Sequence, residues 1–301
     1  MNFRNVILAA FVVALSLSSA NAQLNVLNSS SPEDIGVKTA AQITNDNDEP
    51  LPYGYIDERD ILWSKATWEI IDLDERVNFP LYYPIDTNNI GSDRRSLYDV
   101  LVTNMKNGTI KDVYADSYFS QKRTLKDLDA SLVYRDTTDY GIDQFNAEGI
   151  VDAQYIREFT LQAADVEEWR IRGLWYIDKR LGELRYRILG LCPVAPEARS
   201  KAFANDGGAD SRVELFWVYF PSARDVLHEA KAFNRKNTSR PISYDHLLNS
   251  RRFSSLIYRE ENVQGDRSVN EYISENAFMQ LLESDRIKEK IRNIEIDLWN
   301  Y

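Results

Sequence analysis

Two long segments with strand periodicity limit the fold more than any other feature of this sequence. Residues 169–178 and 183–192 are rich in aromatic and aliphatic side chains, and only residues 179–182, which end in a glycine, separate them. In the second segment we expect one face to carry Leu184, Tyr186, Ile188 and Cys192, and the other Arg185 and Arg187. This alternation predicts a strand with one apolar face, and the short connection predicts antiparallel pairing.

A third segment, residues 213–220 (VELFWVYF), is apolar on both faces after Glu214. A continuous apolar run of this length is typical of a central strand, so we expect Trp217 to be buried. The three segments together predict one antiparallel sheet. The polar turn between the last two includes Asp206 and Asp210, which lack the alternating oxygen ligands of an EF-hand loop.

Helical spacing appears before and after these strands. Residues 57–73 are predicted to form a helix from the spacing of Ile61, Leu62, Trp68 and Ile71, and residues 78–84 an extended, proline-containing segment. Residues 93–106 predict a second helix, with Leu97, Val100, Leu101 and Met105 as its apolar stripe and Gly108 at its end. Near the C-terminus, Ser268 and Glu271 have the spacing of a capping box, and Ile287, Ile291, Ile294 and Leu298 continue a stripe. The predicted fold class is α+β, an antiparallel sheet with packed helices.

Two stretches of the chain resemble each other. The matching motifs are Tyr98-Asp99-x-Leu101 with Tyr244-Asp245-x-Leu247, Val113-Tyr114 with Ile257-Tyr258, and Arg123-Thr124-x-x-Asp127 with Arg267-Ser268-x-x-Glu271. Each copy would be a helix, a strand, a polar turn and a capped helix. Both internal duplication and chance similarity are compatible with these matches.

The N-terminus has the layout of a secretory signal peptide. Arg4 is followed by the apolar run of residues 6–17, and Ala20 and Ala22 offer small residues at a cleavage site. We therefore expect residues 1–22 to be removed, leaving Gln23 as the first residue. Residues 23–52 are rich in Asn, Ser, Asp and Pro and predict a flexible arm, and residues 53–301 predict a single α+β domain.

The charge balance excludes two classes of partner. The full sequence has a net charge of −11, and removing Arg4 with the signal peptide makes the mature chain one unit more acidic. Nucleic-acid binding and adsorption on anionic lipid both require clustered basic residues, so neither is expected, and no later segment predicts membrane insertion. The six Trp, 17 Tyr and 12 Phe favour an interaction protein, because aromatic side chains anchor protein interfaces.

Residues that could carry chemistry are few. His228 and His246 are the only histidines, and neither lies in a metal-ligand motif, so we expect no metal, cofactor or catalytic site. Glu167 and Glu168 precede Trp169, as an acid beside a sugar-binding aromatic would, but neighbouring strand residues point to opposite faces. Cys192, the single cysteine, is expected to be buried and free, with an intermolecular disulfide as the alternative.

Three motifs resemble those of the gliding-motility N protein family (GldN, also called PorN). They are LWSK–WEIID–NFPL from Leu62 to Leu81, RGLWY at 172–176 with LCPVAP at 191–196, and FWVYFP at 216–221. The similarity covers essentially the whole mature chain, and its motifs are structural, with no catalytic residues to transfer.

The resemblance implies a periplasmic protein of Bacteroidota that acts in type IX protein secretion and gliding motility. It implies a ring built with a lipoprotein, the gliding-motility K protein, at the inner face of the outer membrane. It also implies contacts with the periplasmic region of the motor M protein and with neighbouring copies. The alternative from the residues alone is a periplasmic glycan-binding protein or glycoside hydrolase, which saccharide turnover would reveal.

Overall fold

The computed structural model describes residues 44, 49–86, 94–202, 212–236, 242–274 and 276–299. By internal contacts, Pro50–Thr87 and Arg94–Tyr301 form one compact unit, to which all the elements below belong. A second unit, Met1–Glu49 with Asn88–Asp93, lies outside the described residues except for Thr44 and Glu49. The predicted signal peptide, most of the predicted arm, and Asp206 and Asp210 therefore also lie outside them.

Strands and helices are interspersed along the unit. The strands are β1 (Ile61–Asp72), β2 (Val113–Tyr114), β3 (Val133–Thr137), β4 (Ile156–Thr160), β5 (Glu168–Asp178), β6 (Glu183–Pro196), β7 (Arg212–Glu214), β8 (Trp217–Tyr219), β9 (Lys231–Ala232), β10 (Ile242–Ser243) and β11 (Leu256–Glu260). The helices are α1 (Phe79–Tyr82), α2 (Leu97–Lys106), α3 (Leu125–Leu132), α4 (Asp139–Glu148), α5 (Ala198–Ala202), α6 (Phe220–Glu229), α7 (Tyr244–Asn249), α8 (Val269–Tyr272) and α9 (Ala277–Trp299).

A seven-stranded sheet organises the unit. Its strand order is β11-β1-β5-β6-β8-β2, with β7 also paired to β6, and every pair is antiparallel. Strands β3 and β4 form a separate two-stranded ribbon, as do β9 and β10. The predicted class, α+β with an antiparallel sheet and packed helices, is confirmed.

The hairpin of β5 and β6 forms where its periodicity predicts it, but it contains a bulge. The register shifts between Arg172 and Gly173, so that Gly173 pairs with Ile188 and Arg172 with Gly190. The extra residue, Leu189, reverses which side chains face which side. Ile188 therefore packs into the main core, whereas Cys192 lies in a smaller cluster with Ala66, Trp68 and Trp217. The prediction that Cys192 shares a face with Ile188 is wrong for this reason.

The N-terminal helix predicted over residues 57–73 is also wrong. After a short 3-10 turn, Glu58–Asp60, the chain is strand β1, paired with β5 along its length and with β11 near its end. The helical spacing of a few apolar residues is a weaker determinant than strand pairing of aromatic and β-branched residues. Trp68 pairs with both β5 and β11, and Ile71 pairs with β5. Conversely, Phe79–Tyr82, predicted as extended, forms the short helix α1, with proline in its first turn.

The apolar segment 213–220 is interrupted rather than continuous. It contains β7 and β8 separated by Leu215 and Phe216, and Phe220 already begins helix α6. Pro221, which favours the first turn of a helix, explains why the strand ends there. The prediction for Trp217 is confirmed, because its side chain is fully buried in β8, between β6 and β2.

Helices cover the sheet on one face. The main core is formed by α2, α6 and α7 against Ile71, Ile171 and Leu191 of the central strands. The predicted stripe of α2 is buried and Gly108 follows the helix at a φ of +75°, so the stripe and the end of this helix are confirmed. The predicted start is wrong, because the helix begins at Leu97, after the Ser96 cap, and residues 94–96 are not helical. The C-terminal residues form two helices, and in α9 Ile287 and Ile291 pack on β11.

Both stretches of the predicted repeat contain a helix, a strand, a turn and a second helix. Thr124 caps the second helix of the first stretch, and Ser268 precedes the second helix of the other. Ser268 differs from the predicted capping box, because its hydroxyl contacts the Glu271 carboxylate (2.6 Å) and not a helix amide. The duplication itself stays a prediction.

Candidate interaction surface

An extended strap, defined here as residues 51–56, lies where the predicted arm joins the compact unit. Pro50 and Pro52 favour extended backbone in the residues that precede them. The strap has no strand partner in the described part of the chain, so its carbonyl groups need other donors. Three arginines supply these donors.

The arginines come from separate elements. Arg224 of α6 donates to the Leu51 carbonyl (2.6 Å), Arg187 of β6 to the Gly54 carbonyl (3.1 Å), and Arg180 of the β5–β6 turn to the Tyr55 carbonyl (2.9 Å). Hydrogen bonds from charged donors are stronger than neutral ones. The strap is therefore attached at three points along its length.

Tyr53 fixes the centre of the strap. The Arg224 and Arg187 guanidinium carbons lie 4.1 and 4.6 Å from the centre of its ring, and its hydroxyl donates to Asn249 Oδ1 (2.7 Å). Burial raises the pKa of Tyr53 to about 12. The phenol therefore stays neutral at physiological pH and remains a hydrogen-bond donor.

A buried ion pair holds the donors of this site in place. Arg224 Nε contacts Asp245 Oδ1 at 2.8 Å, and the two side chains are 10% and 6% exposed. The pKa of Arg224 is raised, chiefly by its hydrogen bond to Asp245. Asn249 also donates to Asp245 Oδ1 (2.8 Å), so α6, α7 and the strap share one network.

The strap leaves two apolar side chains in solvent. Leu51 is 78% exposed and Tyr55 is 81% exposed, although the backbone of both residues is held by arginine. A rigid backbone that presents exposed apolar groups loses little further entropy on binding. This arrangement suits contact with another protein.

The strap was not found by sequence reasoning, which placed an arm boundary after Pro52. The sequence pattern that could have indicated it is the run Pro50-Leu51-Pro52-Tyr53-Gly54-Tyr55. Its two prolines favour an extended backbone, and it contains two aromatic side chains. The arginines that bind it lie far away in the sequence, and nothing local connects them to it.

The residues considered for chemistry do not come together. Glu167 forms an ion pair with Arg212 (2.6 Å), and Glu168 accepts a hydrogen bond from Arg170 (3.3 Å). His246 is exposed on α7, and His228 lies on α6. Cys192 is free and fully buried, and burial raises the pKa of its thiol well above the ordinary value. Within the described residues, no group of three or more His, Cys, Asp or Glu is placed to hold a metal ion.

Among the described helices, none has the length and apolar character needed to cross a bilayer.

The comparison with protein families is decisive for classification: the model described as gliding motility associated protein GldN matches residues 56–300. The chain belongs to the GldN family. It is thus a component of the gliding-motility and type IX secretion machinery. The GldN match begins within the strap and covers the whole sheet, so the resemblance stated from the sequence motifs is confirmed. No curated protein matches this GldN-family chain.

Proposed function

We propose that this chain is a structural subunit of a periplasmic ring of the type IX secretion and gliding machinery, attached to an outer-membrane lipoprotein partner. The observation that carries the proposal is the arginine-bound strap. Its backbone is held at three points by arginine, while Leu51 and Tyr55 remain exposed and available for contact with another subunit.

The sequence before the strap supports a binding role for the arm. Residues 23–50 include Leu24, Val26, Leu27, Ile35 and Val37, too few apolar side chains to build a core of their own. Ordering each residue costs about 1 kcal/mol of backbone entropy, so contacts with a partner have to offset that cost.

Deletion of the arm tests the proposal. The mature protein and a variant that starts at Glu49, which keeps the whole strap, are each co-expressed with the lipoprotein K protein of the same machinery. We expect the same thermal unfolding for both and a weaker yield of lipoprotein complex, or fewer rings in electron micrographs, for the variant. A matched variant, Leu24→Ser with Val26→Ser and Leu27→Ser, should reproduce the loss if apolar contacts are responsible.

Equal capture of the lipoprotein by the truncated and full mature chains would contradict a binding role for the arm. Failure of the full mature chain to retain the lipoprotein at all would contradict the structural-subunit proposal. Contact with the periplasmic region of the motor M protein belongs to the same proposal and is tested by the same copurification with that region as bait.

A further inference from the structure

The two stretches that resemble each other in sequence belong to two halves with the same order of elements. The first half, residues 61–132, contains β1, α1, α2, β2 and α3. The second half, residues 217–272, contains β8, α6, α7, β11 and α8, with β9 and β10 as an addition before α7. In each half the first strand is followed by a helix that begins with Phe-Pro, at Phe79 or Phe220. The correspondence therefore extends to elements outside the matching motifs.

A single row of paired residues crosses the main sheet from β2 to β11. Val113 pairs with Val218, Val218 with Leu191, Leu191 with Ile171, Ile171 with Glu69, and Glu69 with Ile257. The two ends of this row, Val113 and Ile257, are residues that the sequence motifs match to each other. The motifs contain no information about strand pairing, so the row is independent support for their equivalence.

The middle of this row lies on a local two-fold axis. Ile171 and Leu191 are direct partners in the antiparallel strands β5 and β6, and an axis perpendicular to the sheet relates two such residues. The same rotation exchanges β1 with β8 and β11 with β2, because the strand order is β11-β1-β5-β6-β8-β2. It therefore carries Val113 onto the position of Ile257.

The residues next to the ends of the row have matching surroundings. Tyr114 and Tyr258 both pack against one small cluster, which includes Trp68 of β1 and Trp217 of β8. Tyr114 pairs directly with Trp217, and Arg259, the neighbour of Tyr258, pairs with Trp68. A tyrosine beside a buried tryptophan thus occurs on both sides of the axis.

The loops that follow β2 and β11 also correspond. Each loop folds back on its own strand, through a bridge between Tyr114 and Lys122 in the first half and between Arg259 and Ser268 in the second. The two loops meet each other, because the Tyr118 hydroxyl donates to Asp266 Oδ2 (2.8 Å). Both loops lead to a helix that starts after Thr124 or Ser268.

One pair of equivalent loop residues differs in packing, and the sheet gives the reason. The Phe119 ring lies over Gly190, where a Cβ would be 2.7 Å from Phe119 Cζ. Val263, at the equivalent position of the second loop, is fully exposed. The residue paired with Gly190 across the axis is Arg172, whose long side chain leaves no such space. The two halves are therefore similar without being identical.

The second strand of each half, β2 or β11, is called here its closing strand. The closing strand β2 pairs with β8 of the other half, and the closing strand β11 pairs with β1 of the other half. We propose that the compact unit is an internal duplication in which two copies of one unit have exchanged their closing strands. Each half then covers the open edge of the other. The first half cannot complete its fold before β11 is available, so the two halves fold and unfold together, whether or not the protein forms the proposed ring.

A chimera of the full mature chain tests the equivalence of the closing strands. Residues 113–123 (VYADSYFSQKR) are replaced by the residues found at 257–267 (IYREENVQGDR), which have the same length. We expect a single cooperative unfolding transition in urea, because the new strand places isoleucine opposite Val218 and tyrosine opposite Trp217. The matched control inserts the same eleven residues in reverse order, which places charged residues at both strand positions and should prevent cooperative unfolding.

A second chimera keeps Phe119 within the transplanted segment, so that the space over Gly190 remains filled. It should unfold at a higher urea concentration than the first chimera. Equivalence of the two strands is contradicted if neither chimera unfolds at a higher urea concentration than the reversed control.

Hydrogen exchange tests the coupling between the halves in the full mature chain. Ile257→Ala weakens the closing strand on β1, and we expect faster exchange, by a similar factor, in peptides from β1 and from β8. Val263→Ala, at a fully exposed position, is the control and should leave both rates unchanged. Faster exchange confined to β1 and β11 would overturn the coupling and show that the halves unfold separately. Neither experiment involves the lipoprotein, so its outcome is separate from that of the proposed function.

Discussion

Individual buried charges connect distant parts of this chain. Glu69 of β1 is fully buried and accepts hydrogen bonds from Arg251 Nη2 (2.7 Å) and Ser255 Oγ (2.6 Å). Arg251, at a φ of +50°, lies 4.2 Å from the centre of the Tyr186 ring. Burial raises the pKa of Tyr186 well above its ordinary value, so this ring stays neutral beside the ion pair. The loop between α7 and β11 is thereby attached to the sheet.

Glu69→Gln should destabilise the protein by about 3–5 kcal/mol, because it leaves the Arg251 charge without a buried partner. The free energy of unfolding in urea is the measurement. The matched control is Glu289→Gln, whose partner Arg292 is on the surface, with both side chains 65% exposed. That change should cost about 0–1 kcal/mol. Equal effects of the two changes would contradict the buried role of Glu69.

The Cys192 thiol should be inert in the native protein. Its burial excludes reagents, and the raised pKa keeps it protonated, so the reactive thiolate is suppressed up to a pH above its ordinary pKa. Iodoacetamide labelling at pH 8, followed by mass spectrometry, should therefore modify Cys192 only after unfolding in urea. Val263→Cys provides an exposed thiol as the positive control. Rapid labelling of native Cys192 would show that the residue is accessible and that a disulfide between copies is feasible.

At the scale of elements, two short segments, the strap and strand β8, each connect several longer elements. The strap attaches to α6, β6 and the β5–β6 turn through side chains alone. Strand β8 has three residues but lies between β6 and β2 and carries Trp217, whose Nε1 donates to Glu214 Oε2 (2.7 Å). Both features depend on single aromatic residues, which makes them sensitive to substitution.

Tyr53→Ala should loosen the strap, because it removes the ring between Arg187 and Arg224 and the hydrogen bond to Asn249. We expect faster chymotrypsin cleavage after Tyr55, followed by mass spectrometry, and an intermediate rate for Tyr53→Phe, which keeps the ring. The control is Tyr140→Ala, at an exposed tyrosine of α4 that does not contact the strap. Unchanged cleavage after Tyr55 would indicate that the arginine contacts hold the strap without Tyr53.

Trp217→Ala should lower the free energy of unfolding by about 3–5 kcal/mol, since it opens a cavity between β6 and β2 and leaves Glu214 without this donor. Reversible unfolding in urea measures the change. Phe278→Ala, at an exposed position of α9, is the control and should cost far less. A loss under about 1 kcal/mol for Trp217→Ala would contradict a buried position in a central strand.

At the scale of the whole molecule, both edges of the sheet are short or partly covered. Strand β2 has two residues and is bridged at Tyr114 by Lys122, and β11 is bridged at Arg259 by Ser268. Such edges discourage growth by strand addition. Assembly is instead expected through side-chain surfaces.

Export of the whole chain is expected from its first 22 residues. If Ala20 and Ala22 form the cleavage site, the mature protein isolated from the cell envelope should begin at Gln23, as measured by mass spectrometry. Ala22→Pro should block cleavage and leave the longer chain, while the neighbouring change Gln23→Asn should not. Intact Met1 in envelope protein without substitutions would contradict the export prediction.

Local patterns in the sequence were sufficient for some elements. The β5–β6 hairpin follows from alternation and a turn that ends at Gly182, with a φ of +65°. The stripe and the end of helix α2 follow from its apolar spacing and Gly108. In each case the residues that determine the structure are neighbours in the chain, so their own side chains are enough to select the backbone conformation.

Other features depended on partners that are remote in the sequence. Residues 61–72 have a mixed apolar pattern, and they became β1 because β5 and β11 pair with them. The bulge at Leu189 placed Cys192 on the opposite face from the one predicted. The strap is held by arginines from three elements, and no local pattern encodes that contact. The sequence by itself determined the class of fold and the family motifs. Contacts between distant segments decided the position of β1, the faces of β6 and the binding of the strap. The physical reason is that local propensity is weaker than the contacts those segments gain in the folded protein.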